Sequence, residues 1–185
     1  MKIMKKVIAF VMAITMVFSM AVVASAESTT TLTTTVPAAN YTMTIPANQE
    51  VAFGTTSLKI GMVKITESSS FAEGKNIRVT FENTDFTCPN TTTTIPVAVY
   101  GCYSQLSYAS TPPQSVAKTA SIKDNTIIFE GLSSGTVSSE AKAEMNGETR
   151  TLTNLGISMS STAWGKALAG EYTATITFSS EVFVE

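Results

Sequence analysis

Strict alternation between apolar residues and threonine is the feature that most constrains how this chain folds. It occurs twice, as YTMTI at residues 41–45 and as YTATITF at residues 172–178. Successive side chains of a β-strand point to opposite faces of the sheet, so a period of two predicts strands with one buried face. Residues 76–81 (NIRVTF) alternate in the same way. Residues 95–100 (IPVAVY) are more continuously apolar, which is typical of a central strand.

Turn-rich clusters of Gly, Pro, Asn and Ser separate these runs, and long helix-forming stretches are missing. Abundant Thr, Val, Ile, Tyr and Phe fit a pleated, half-buried surface. The sequence therefore predicts an all-β fold, an antiparallel Ig-like or Greek-key β-sandwich of about seven to nine strands. Residues 138–148 (SSEAKAEMNGE) fit either a Ser-capped helix or a hairpin on the Asn146-Gly147 turn, and we favour the hairpin.

The first 26 residues have the layout of a secretory signal peptide. Three lysines precede an apolar run at 7–23, and a small-x-small cleavage site follows at 24–26. We therefore expect cleavage after Ala26 and a secreted or cell-surface location. Residues 27–39 (ESTTTLTTTVPAA) predict a flexible Thr-rich tail. Residues 40–185 form the predicted sandwich domain.

Charge excludes two classes of partner. Cleavage removes three of the 12 basic residues and none of the 14 acidic ones, which leaves a net charge of −5. A mildly acidic chain without a basic run has no footprint for nucleic acid. It also lacks the polybasic patch that holds a protein to an anionic membrane, so no membrane partner is expected after cleavage.

Residues for catalysis or metal binding are scarce. The chain has no histidine, which removes the commonest general base and metal ligand. Phosphate-binding glycine patterns and calcium loops are also missing. Glu82 and Glu130 each follow a phenylalanine at a predicted strand end, where we interpret them as solvated charges rather than a glycosidase pair. We expect no enzyme activity, no metal and no cofactor.

Two cysteines, Cys88 and Cys102, are present in a chain with a signal for export. Disulfides persist outside the reducing cytosol, so the simplest prediction is one bond that closes a loop of about 15 residues. The alternative is a pair of buried free thiols.

Aromatic residues provide a candidate ligand platform. Tyr100, Tyr103 and Tyr108 cluster around Cys102, and Trp164 lies in a loop-like stretch. Tyrosine and tryptophan rings offer flat apolar faces with a polar edge, which suits a sugar or a peptide. The alternative places one tyrosine in the core, the others on a loop, and Trp164 in core packing.

A structural corner is predicted where Leu168, Gly170 and Tyr172 precede the last long strand. In Ig-like sandwiches, a tyrosine at such a corner bonds its hydroxyl to the backbone just upstream. Glycine permits the tight turn. We predict that Tyr172 is substantially buried and that its hydroxyl has a main-chain partner.

Three segments carry a resemblance to a known class of proteins. They are YTMTIP at 41–46, GKNIRVTF at 74–81, and Trp164 with AGEYTATITF at 169–178. The chain resembles small exported bacterial surface proteins with a fimbrial or adhesin type of β-sandwich, in which an opening T-I-P strand and a closing Trp…A-G-x-Y-T segment recur. The resemblance implies a structural or adhesive role at a surface, and it brings no catalytic residues.

The expected function is therefore a secreted or cell-surface, non-enzymatic interaction or structural domain, similar to an adhesin or fimbrial subunit. Its partner is an unidentified protein or glycan on a surface. The alternative is a carbohydrate-binding module that uses surface aromatics. A further possibility is self-assembly, in which the Thr-rich tail, with Leu32 and Val36, adds a strand to a neighbour's sheet edge. An open sheet edge favours assembly, whereas a closed sandwich favours a soluble binder.

Overall fold

The fold is known from a computed structural model, which describes residues 40–69, 75–109, 111–130 and 140–184. The chain divides into two compact units, Met1–Thr35 and Val36–Glu185, and the described residues all belong to the second. The predicted signal peptide at 1–26 and the predicted tail at 27–39 lie outside the described residues.

The described residues form an antiparallel all-β fold, which confirms the predicted fold class. Its strands are β1 (Asn40–Thr44), β2 (Ser57–Gly61), β3 (Lys64–Ser69), β4 (Lys75–Asn83), β5 (Phe86–Thr87), β6 (Thr94–Ile95), β7 (Val97–Ser107), β8 (Gln114–Ser121), β9 (Thr126–Phe129), β10 (Ala141–Met145), β11 (Glu148–Met159) and β12 (Ile176–Val184). The described part also contains a short helix, α1 (Ser161–Trp164), and a 3₁₀ turn at Lys123–Asn125. These twelve strands exceed the seven to nine expected, and two of them, β5 and β6, have only two residues each.

One strand, β11, belongs to both layers of the sandwich. The strand order is β12-β4-β9-β10-β11-β7-β8. Along one edge of β11, the first residues pair with β10 and the later residues pair with β2. Between these two parts, the pairing of β11 with β7 on the other edge shifts register at Leu152 and Asn154. An extra residue in a strand bends it and increases its twist. The bend thus separates one layer, β12-β4-β9-β10, from another, β2-β11-β7-β8.

The core lies between these layers and follows from the predicted alternation. In β4, Ile77, Val79 and Phe81 are buried, as alternate residues of one face should be. Opposite them, β11 contributes Leu155 and Ile157. Burying a large aliphatic or aromatic side chain contributes about 1.5–3 kcal/mol. This shared apolar cluster therefore holds the two layers together.

Strands β1 and β3 form a separate two-stranded ladder beside the core. Gly61, with φ of +113°, ends β2 and redirects the chain into β3, a backbone conformation that favours glycine. Ile65 of β3 is fully buried, and Tyr41 of β1 forms a 2.7 Å hydroxyl–hydroxyl hydrogen bond with Ser180 of β12.

The hairpin favoured for residues 138–148 is confirmed over its described part. β10 and β11 pair directly, and the turn residues Asn146 and Gly147 both have positive φ, at 54° and 80°. Two-residue turns of this kind match the right-handed twist of the strands they join. Ala141, Ala143 and Met145 face the core, as their alternation indicated.

The closing strand begins later than its sequence pattern predicts. Thr173 exchanges hydrogen bonds with Thr87, and Thr175 accepts one from the backbone N–H of Thr84. The two residue steps from Thr173 to Thr175 therefore lie opposite the three steps from Thr87 to Thr84. The segment at 84–87 thus has one extra residue, which interrupts the ladder. Regular pairing with β4 starts at Ile176 and continues to Val184.

The predicted disulfide is wrong: Cys88 and Cys102 are both buried and unbonded. Cys88 follows β5 and packs beneath Gly170, where an added Cβ would lie 2.5 Å from its Sγ. The start of β7 lies near β5, because the Val97 N–H donates to Asp85 Oδ1 at 3.1 Å. Cys102 is five residues further along β7, about 17 Å away at 3.3 Å per residue. A disulfide needs Cα atoms within about 7 Å.

Candidate functional site

An apolar groove with a volume of about 1180 Å³ opens on one side of the sandwich. One wall is residues 45–53, which follow β1, and the other is residues 167–178, which lead into β12. Core side chains form its floor, namely Ile60, Phe86, Val97, Ile157 and Trp164. The groove therefore reaches the edge of the core at a place that no described strand covers.

The first wall is an irregular segment held by a few contacts. The Gln49 Nε2 donates to the Ile60 carbonyl at 2.6 Å. Phe53 is 80% exposed, yet its ring meets the ring of Trp164 edge to face at 5.4 Å between centroids. This wall was not predictable from the sequence, because its three large apolar residues, Ile45, Val51 and Phe53, follow no regular period.

The second wall contains the predicted corner. The backbone N–H of Leu168 donates to the Tyr172 hydroxyl at 3.2 Å, and Tyr172 is half-buried. This bond confirms the predicted main-chain partner. Gly170 was expected to permit a tight turn. The structure gives another reason for this glycine, because the Cys88 side chain occupies the space that a Cβ would need. The corner thus fixes the position at which the chain enters the groove wall.

Beyond the corner, the groove wall presents an unpaired strand edge. Thr173 and Thr175 direct their backbone groups to Thr87 and Thr84. Successive residues of a strand direct these groups to opposite edges. Ala174 and Ile176 therefore direct theirs away from β4, and no other strand of the described residues pairs there. Their side chains point inward and are half-buried.

Trp164, a predicted platform residue, lies in the floor of this groove. It is 8% exposed, and its indole Nε1 donates to the Thr55 carbonyl at 2.7 Å. Its ring also packs near Phe86, with centroids 6.2 Å apart. The Trp164 ring therefore contacts both the core residue Phe86 and the exposed ring of Phe53.

The three tyrosines predicted as a platform occupy separate places. Tyr100 lies across Gly156, with its hydroxyl 2.7 Å from Ser57 Oγ. Tyr103 is buried beneath the guanidinium of Arg150, which lies 5.2 Å from the ring centroid. Tyr108 is 77% exposed. Tyr100 and Tyr103 are three residues apart on one strand, so they point to opposite faces.

Tyr108 lies next to a ribbon that extends from the second layer. The end of β7 pairs with β8 from Ser104 to Ser107, and residues 114–119 are exposed on both faces. Leu106 and Val116 are large apolar residues exposed on this ribbon. Apart from Lys118, the ribbon carries no charge.

Charged groups in the described part form pairs rather than a catalytic cluster. Glu130 accepts from Lys142 Nζ at 2.6 Å, while Glu82 is exposed on β4. No group of three or more His, Cys, Asp or Glu side chains there could hold a metal ion. None of the described helices is long and apolar enough to cross a membrane. Burial raises the pKa of the Cys102 thiol, and the charge of Lys59 opposes that shift.

Comparison with known proteins adds no assignment: no protein-family model, curated protein or solved structure matches the chain.

Proposed function

We propose that the protein is a secreted or cell-surface, non-enzymatic structural or interaction subunit, similar to an adhesin or fimbrial subunit, whose groove binds an extended peptide strand. The observation that carries this proposal is the unpaired edge beside the groove. Ala174 and Ile176 combine side chains that face inward with backbone donors and acceptors that are not paired with any described strand. An added strand would satisfy the backbone groups and cover the floor of the groove at the same time.

The geometry defines the peptide that fits. Alternate side chains of an added strand would face the floor formed by Ile60, Val97 and Trp164, so those positions should be apolar. The intervening ones should be polar. The two acidic residues on the walls, Glu50 and Glu171, favour a peptide without a cluster of negative charge.

The Thr-rich segment 27–39 of a neighbouring copy meets these requirements at two positions, with Thr34 between them on the same face. Leu32 and Val36 are four positions apart, so in an extended strand both face the groove. The threonines between them have high strand propensity, and Pro37 ends the segment that can pair. Glu27 is its sole charged residue.

Fluorescence of Trp164, the single tryptophan, provides a direct test because the ring lies in the groove floor. A synthetic peptide of residues 27–39 is titrated into a chain that begins at Asn40. We expect a saturable change in emission. A peptide with Leu32→Asp and Val36→Asp is the matched control and should leave the emission unchanged. Equal responses to both peptides, or none to either, would contradict the proposal.

The alternative, a carbohydrate-binding module, rests on Tyr108, the most exposed of the four candidate rings. A single exposed tyrosine offers one stacking face. A glycan array with the natural chain and a Tyr108→Ala variant tests this alternative. Binding that disappears in the variant would favour it over the peptide groove.

A further inference from the structure

We propose that copies of this protein associate edge to edge, with β8 of one copy pairing antiparallel with residues 178–184 of β12 in the next. In this register Lys118 lies opposite Glu181. The proposal goes beyond the peptide groove, because it uses the far half of β12 and does not require the Thr-rich segment.

Both strands are edges. β8 and β12 stand at opposite ends of the strand order, and each pairs with one strand, β7 and β4 respectively, among the residues that the structure describes. An exposed edge presents a row of backbone donors and acceptors that another strand can pair with. Two different edges on one molecule therefore allow each copy to bind two neighbours.

Charge selects the register between these edges. Lys118 is the single charged residue of β8, and Glu181 is the single charged residue of β12. Opposite charges placed directly across an antiparallel pair are favourable, and like charges are unfavourable. Glu181 is 61% exposed although it pairs with Arg78 at 2.7 Å, so it remains accessible to a second cation.

Backbone direction independently agrees with this register. On β7, the carbonyl groups of Ala98 and Cys102 accept from Ser158 and Thr153 of β11. The alternate residues, such as Tyr103, therefore direct their backbone groups towards β8.

Tyr103 pairs with Lys118, so Lys118 bonds to β7. The residues on either side of it, Ala117 and Thr119, direct their groups to the free edge. On β12, Ile176 directs its backbone groups away from β4. By the same alternation, the even-numbered residues 178, 180, 182 and 184 also direct their backbone groups away from β4. The register then brings free groups together as Ala117 with Val182, Thr119 with Ser180, and Ser121 with Phe178.

Side chains on the charged face are also compatible. Val116 lies opposite Phe183, an aromatic–β-branched pair of the kind that stabilises antiparallel strands. Residues 114–119 are exposed on both faces, so the ribbon leaves space for a neighbouring sandwich.

The contact is heterologous, since β8 meets β12 rather than another β8. Such contacts continue into open chains unless the rotation closes a ring. An interface between two edges of about seven residues is at the low end of specific interface sizes. We therefore expect weak association that depends steeply on protein concentration.

Charge reversal tests the register on the chain that begins at Asn40, because this chain lacks the Thr-rich segment and cannot associate through the peptide groove. Lys118→Glu and Glu181→Lys should each weaken self-association by about tenfold or more, as measured by sedimentation velocity. An equimolar mixture of the two variants should associate more tightly than either variant alone, because each contact between unlike variants again pairs opposite charges. Circular dichroism melts establish that each variant is folded.

A backbone variant tests strand pairing apart from charge. Ala117→Pro removes an N–H that faces the free edge and leaves the ladder with β7 intact, a placement that edge strands tolerate. It should abolish association, whereas the control Ala117→Ser should not. The proposal is refuted if the natural chain stays monomeric up to millimolar concentration, or if the charge-reversed variants fail to associate when mixed. Peptide binding measured on monomeric Lys118→Glu keeps the groove proposal separately testable.

Discussion

Replacing Gly156 with alanine should destabilise the protein through a side chain on the neighbouring strand. Gly156 pairs with Tyr100, whose ring lies over it. A Cβ at position 156 would be 2.3 Å from the ring Cζ and 2.5 Å from the hydroxyl oxygen. Neither distance is compatible with the ring in its present position, so the ring must move outward into solvent.

The magnitude follows from what the ring loses. A fully buried aromatic side chain covers roughly 150–250 Å², so the half-buried Tyr100 covers about 100 Å², worth about 2.5 kcal/mol. Its hydrogen bond to Ser57 adds about 0.5 kcal/mol. Alanine is better than glycine in a strand by about 0.5–1 kcal/mol. The free energy of unfolding should therefore fall by about 2 kcal/mol.

A double-mutant cycle isolates the cause. With the ring already removed by Tyr100→Ala, the Gly156→Ala substitution should raise the free energy of unfolding by about 0.5–1 kcal/mol. Urea unfolding followed by Trp164 emission gives both values, since the tryptophan is buried in the folded protein. An equal effect of Gly156→Ala in both backgrounds would refute the reasoning. Such a result would mean that the Tyr100 ring does not lie over Gly156, and Tyr100 would then remain a candidate ligand residue.

Other substitutions test the corner, the core and the thiols. Tyr172→Phe removes the acceptor of the Leu168 N–H and should lower the free energy of unfolding by about 1 kcal/mol in urea titrations; an unchanged midpoint would contradict the corner. Gly101→Ala would place a Cβ 2.6 Å from a buried leucine methyl group and should cost about 1–3 kcal/mol in the same assay. Without reductant, iodoacetamide should modify both Cys88 and Cys102 after denaturation and neither quickly in the folded protein, as mass spectrometry can measure. Failure to modify the denatured chain would indicate a disulfide.

The sequence was sufficient to predict elements whose cause is local. Alternation identified β4, the Asn146-Gly147 turn indicated the hairpin, and the spacing of Leu168, Gly170 and Tyr172 indicated the corner. Each of these features depends on residues that are close together in the chain. The pattern at 172–178 failed at its start because the extra residue lies on the partner segment, where Thr84 and Thr87 set the spacing.

Features that depend on distant residues were not predictable. The groove forms because two irregular segments, 45–53 and 167–178, are brought to the same open side of the core. Tyr100, Tyr103 and Tyr108 are close along the chain, but alternation along β7 places Tyr100 and Tyr103 on opposite faces. The disulfide prediction failed because Cys88 and Cys102 are close in sequence but not in space. Cys88 lies near the start of β7, and Cys102 lies five residues further along that extended strand.

The sharing of β11 between two layers has a consequence for how the protein folds. Its pairing with β10 is a local hairpin, which can form in microseconds. Its pairing with β2 joins Leu155 to Gly61, which is 94 positions earlier in the chain. Closing a loop of this length costs conformational entropy, so we expect this pairing to form later. We expect overall folding on a millisecond-to-second timescale, as for other folds dominated by distant pairings. Mutations in the β10–β11 turn should slow refolding, whereas mutations in β2 should mainly accelerate unfolding.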